Sequence, residues 1–115
     1  MLLKEGEKIL VAHRRLFEKD DTRFFVGRID AYEAGIIKVT GHSYVRDMLG
    51  GHLIEKAEER TKILSLSSGT LLVYQLPGHV VLDALKFVAA DGRLALTDGK
   101  AFTMNLAEFA RGGKI

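Results

Sequence analysis

The chain has 115 residues and a mass of 12.7 kDa, with 47% hydrophobic and 28% charged residues, the composition of one globular domain able to hold a core without metal or disulfide staples. It contains no cysteine, which excludes disulfides, thiol nucleophiles, iron–sulfur clusters and cysteine-ligated zinc. Seventeen basic residues against fifteen acidic ones, with eleven of each sign in the first sixty positions, exclude a basic or an acidic tail.

Met1-Leu2-Leu3-Lys4-Glu5 meets charge after two apolar residues, so no signal-peptide core is formed and a cytoplasmic protein is expected. Lys8 to Phe17 fits a helix face as well as a strand, and strand is the reading adopted, ending in a turn at Lys19-Asp20-Asp21. Arg23 to Ala31 is a strand whose interior Gly27 marks a sharp bend or a close backbone approach. Tyr32-Glu33-Ala34-Gly35 is the turn that follows. Ile36 to Arg46 alternates, with Ile37, Val39 and Val45 on a core face and Lys38, Thr40, His42, Tyr44 and Arg46 on a wet one.

Gly50-Gly51 reads as a hairpin tip, followed by a short return strand and the solvated run Glu55 to Arg60. Thr61 to Ser67 and Thr70 to Leu76 form two strands joined through Ser68-Gly69. The second is apolar at both parities, which predicts cover on both its faces. Ile63 to Leu82 holds twenty residues without a charge, but serines, glycines and Pro77 break the run, so a hairpin is expected and no membrane span. Asp91-Gly92 and Asp98-Gly99 predict a three-stranded meander over residues 83–106, with Leu85, Phe87, Leu94, Leu96, Phe102, Met104 and Leu106 on one face. The residues beyond Glu108 read as a frayed end. The expected class is all-β, in a single domain.

Chemistry leaves few traces. There is no P-loop and no Gly-x-Gly-x-x-Gly, and His13, His42, His52 and His79 lack metal-ligand spacing. Asp30 and Glu33 flank a turn with no sign of a desolvating pocket, and Ser67-Ser68 has no identifiable base. The expectation is a noncatalytic chain without cofactor or metal.

Val26 to Val39 resembles the first motif of Sm-like proteins: a strand with a bend glycine (Gly27), an aliphatic residue (Ile29), an aromatic–acidic pair (Tyr32-Glu33), and re-entry into an aliphatic strand (Ile36, Ile37, Val39). Thr61 to Leu76, with its tight turn ending in Gly69, resembles the second motif. The resemblance covers roughly residues 9–76, with a variable loop from Asp47 to Arg60, and leaves the C-terminal meander unmatched. It implies a small, strongly bent antiparallel barrel that assembles into rings by joining edge strands. The family's usual uridine pocket does not carry over, because Ile37 and Ser68 stand where its Asn and Arg are expected.

Two functional readings follow. The favoured one is a homo-oligomeric scaffold or protein-interaction module that self-associates through Leu71, Leu72, Val73, Tyr74 and Leu76, since this uncharged strand carries none of the usual edge protection. A lysine placed at Val73 is expected to face outward and disturb assembly. The second reading is RNA binding, with Arg28, Tyr32 and Lys38 as the contact residues. It is disfavoured because nearby acids cancel the positive field.

Overall fold

The computed structural model describes residues 3–13, 23–46, 53–90 and 93–106. The expected turns at Asp20-Asp21, Gly50-Gly51 and Asp91-Gly92, the stretch 14–17 of the first strand, and the tail from residue 107 lie outside the described residues. The rest is all-β, as the alternation predicts: nine strands, all paired antiparallel, and one short 3-10 turn. No helix among the described residues is long and apolar enough to cross a membrane. The chain divides into two compact units, Met1–Gly78 and His79–Ile115.

In the first unit, β1 (Lys8–His13), β2 (Arg23–Glu33), β3 (Ile36–Arg46), β4 (Leu53–Glu55), β5 (Arg60–Ser65) and β6 (Leu71–Gln75) make one sheet in the order β4-β3-β2-β1-β6, with β5 also on β3. β5 pairs with Ile36–Gly41, and β4 with the far end, Tyr44–Arg46. β2 runs two residues further than expected, through Tyr32 and Glu33. The turn is Ala34-Gly35 alone, both at positive φ (48° and 83°), which is the geometry that keeps a two-residue hairpin in step with strand twist.

Midway along this hairpin Gly27 faces Gly41, and at Asp30 the register shifts by one residue, a bulge that adds local twist. The core lies on one face: Ile9, Val11, Phe25, Ile29, Ile37 and Val39 are fully buried, with Leu64, Leu66, Leu71 and Val73 packed against them. Each such side chain contributes roughly 1.5–3 kcal/mol by leaving water. The opposite face is not uniformly wet as expected, because Leu10, Phe24, Val26 and Tyr44 are buried there. The sheet is not closed into a barrel, which corrects the expected closure: β6 pairs with β1, β5 with β3, and the two do not pair with each other.

In the second unit, β7 (Lys86–Ala90), β8 (Arg93–Thr97) and β9 (Thr103–Asn105) form a three-stranded sheet. Phe87, Leu96 and Met104 stand in one cross-strand row, and Leu96 is fully buried. The Asp98-Gly99 hairpin forms with a five-residue connection, longer than the two-residue turn its dipeptide suggests. The Asp98 carboxylate organises it by accepting the Lys100 and Phe102 N–H groups at 2.8 and 3.1 Å.

Candidate functional site

Hydrogen-bond direction alternates along an antiparallel strand, so one bond sets the rest. The Leu66 N–H donates to the Gly35 carbonyl at 2.8 Å. It follows from the register that the peptide groups of Lys62 and Leu64 turn toward β3, while those of Thr61, Ile63 and Ser65 turn away. On the other side the Leu76 N–H donates to the Lys8 carbonyl at 2.9 Å. Leu72 and Tyr74 accordingly turn toward β1, and Leu71 and Val73 turn away. Among the described residues no strand pairs with either outward row.

Side chains alternate in the same rhythm but with opposite sense at the two edges. On β5 the edge-facing residues carry side chains away from the core: Ile63 is 72% exposed, while Leu64 packs inward. On β6 the edge-facing Leu71 and Val73 pack against the core, and Leu72 points away, 46% exposed. A ladder must place opposed side chains on one face. Ile63 and Val73 lie on opposite faces of the sheet, so these two edges of one chain cannot pair with each other, which explains why the sheet does not close.

The expected interface residues are therefore not equivalent. Leu72 is available on the surface, Tyr74 is half-buried, Leu76 is buried, and Leu71 and Val73 line the interior. A lysine at Val73 would enter the core, contrary to expectation. Ile63, absent from the predicted set, is the most exposed of the large apolar residues described.

Beside Val73 lies a half-open cleft of about 350 Å3, lined by Leu3, Tyr32, Leu66, Val73 and Gln75. The Gln75 amide donates to the Glu7 carboxylate at its rim, at 3.0 Å. The cleft escaped sequence reading because its walls come from four separate segments.

Arg28, Tyr32 and Lys38 do not gather on one surface. Arg28 and Lys38 are exposed on the face away from the core, whereas Tyr32 packs against the core cluster. Between the two cations the Thr40 hydroxyl donates to Asp30 and shares a second hydrogen bond, 2.8 Å long, with the Thr61 hydroxyl. This polar ladder holds β2, β3 and β5 together and brings an acid into the middle of the expected contact surface. Among the described residues no group of three or more His, Asp or Glu is arranged to hold a metal.

Comparison of the chain with protein-family models, with curated proteins and with solved structures finds no match.

Proposed function

We propose that the chain is a noncatalytic homo-oligomeric scaffold of Sm-like build, in which the open edge of β5 in one copy joins the open edge of β6 in the next. The observation that carries this reading is the pair of edges, unpartnered among the described residues, with opposite side-chain sense. Joined between two copies, they have no conflict of faces, because the two strands no longer share a core. The exposed Ile63 then lies beside Val73 at the mouth of the neighbour's cleft. The bulged β2–β3 hairpin and the short link from β5 to β6 also support the Sm-like build.

Edge strands usually carry lysine, proline or an inward charge against such pairing. On β5 that protection stops at Lys62, and on β6 there is none. RNA binding is less well supported, since Asp30 and Glu33 share the surface of Arg28 and Lys38.

Sedimentation at tens of micromolar, about where a modest interface is occupied, tests the reading. The unaltered protein is expected to sediment as an oligomer. Ile63→Pro removes one outward N–H without touching the β3 ladder, so it should shift the population to monomer with the β spectrum retained. A stable monomer for the unaltered chain overturns the reading.

A further inference from the structure

At the end of the sheet where β1 stops, the core face ends in a group of basic side chains. Side chains on a strand share a face every second residue, so the opposed pair His13 and Arg23 follows the opposed pair Val11 and Phe25 along that face. The Lys62 ammonium stands over the Phe25 ring, 4.7 Å from its centre. Three basic side chains from β1, β2 and β5 thus converge at this end of the core face, the lysine over one buried aromatic ring. Arg23 is exposed, and His13 and Lys62 are half-buried.

Nothing described neutralises them. The ion pair seen among the described residues joins Arg60 to Glu58, both exposed. Burial, with Arg60 and Arg23 nearby, holds the Lys62 pKa below its usual 10.5. Burial, with Lys62 and Arg23, holds that of His13 below 6.5. The Lys62 charge, partly withdrawn from water and close to that of Arg23, destabilises the empty fold, and an oxyanion placed between them reverses the sign of that interaction.

We propose that His13, Arg23 and Lys62 form a binding site for a phosphate group at the end of the sheet where β1 stops and β2 begins. The guanidinium supplies paired donors to two phosphate oxygens, the ammonium a point charge held over Phe25, and the imidazole a single N–H. The site lies apart from Arg28 and Lys38, which are on the opposite face, and it does not depend on self-association. The phosphate can belong to a free phosphorylated small molecule or to a nucleic-acid backbone, and the chemistry of recognition is the same.

The test is titration of inorganic phosphate into the full chain, followed by NMR and compared with sodium chloride at matched ionic strength. Saturable shifts at His13, Arg23 and Lys62 are expected with phosphate only. Lys62→Met keeps an apolar stem over Phe25 and removes the charge. It should weaken phosphate at least about tenfold, the scale of losing one charge-assisted hydrogen bond. Arg23→Gln, at an exposed position where folding is not at stake, should do the same, while Lys38→Met leaves binding unchanged. Shifts that chloride reproduces, or full-strength binding in both site variants, overturn the proposal. In a second arm, a short single-stranded oligonucleotide that binds more tightly than phosphate, with steep salt dependence and the same response to both variants, assigns the phosphate to a nucleic-acid chain. Oligonucleotide binding no tighter than phosphate assigns it to a small molecule.

Discussion

Gly27 and Gly41 face each other across β2 and β3 with no room between the strands for one added carbon. A Cβ on Gly41 would come within 2.0 Å of the Val26 carbonyl oxygen and 2.5 Å of the Gly27 Cα, and one on Gly27 within 2.4 Å of the Thr40 carbonyl oxygen. These neighbours are backbone, so they cannot yield by changing rotamer.

Gly41→Ala should therefore cost about 2–3 kcal/mol, the upper range for overpacking, and Gly27→Ala a similar amount. Gly78→Ala meets nothing within 4 Å and should stay within about 0.5 kcal/mol of the unaltered chain. Urea midpoints at fixed slope distinguish the three.

Neighbouring positions on β6 should respond in opposite ways to the same substitution. Val73→Lys displaces a side chain packed against the core cluster at the wall of the half-open cleft and should remove about 2 kcal/mol of stability. Leu72→Lys, on the exposed side, should melt within about 1 kcal/mol of the parent. Equal melting of the two variants would contradict the side-chain sense of this strand.

His13 makes stability depend on pH. Its folded-state pKa is held below the ordinary 6.5, by burial first and by Lys62 and Arg23 next, so the unfolded chain binds more protons as the imidazole titrates. The stability from a neutral His13 is whole above pH 6.5 and is lost as pH falls through the lower folded value. Urea midpoints from pH 8 down to 5 should decline, and His13→Gln should flatten the curve.

Asp98 acts in the second unit, where N–H donation from Lys100 is the main cause of a carboxyl pKa below 3.8. Its contribution is present above 3.8 and lost as pH falls through the folded value. Asp98→Ala should speed amide exchange at Lys100 and Phe102 while leaving that at Gly99, whose N–H goes to the Thr97 hydroxyl at 3.0 Å, closer to the parent rate.

The strands were legible where alternation was unambiguous, as in Ile36 to Arg46, and Gly27 was legible as a point of close approach. The turn was harder. Ala34 at positive φ is an uncommon choice for a two-residue hairpin, so the sequence reading widened the turn to Tyr32-Glu33-Ala34-Gly35, of which the first two are strand residues. Thr70 to Leu76 shows why a doubly apolar strand conceals its orientation: with Leu71, Leu72, Val73 and Tyr74 in succession, neither parity declares itself as core. Closure of the barrel could not be read either, because it depends on the relative sense of two edges that only the register reveals. The meeting of His13, Arg23 and Lys62 joins positions nearly fifty residues apart through three strands, beyond the reach of any local pattern.

The β1–β6 ladder also bears on the order in which the chain is made. β1 finds β2 soon after synthesis, but its other side pairs Ile9 with Gln75, more than sixty positions later. At translation rates of about 5–20 residues per second, that side of β1 waits several seconds for its neighbour, with Leu10 and Ala12 presenting unpaired peptide groups in the meantime. The nascent chain is thus most open to mispairing with another chain before the strand that completes its sheet has left the ribosome.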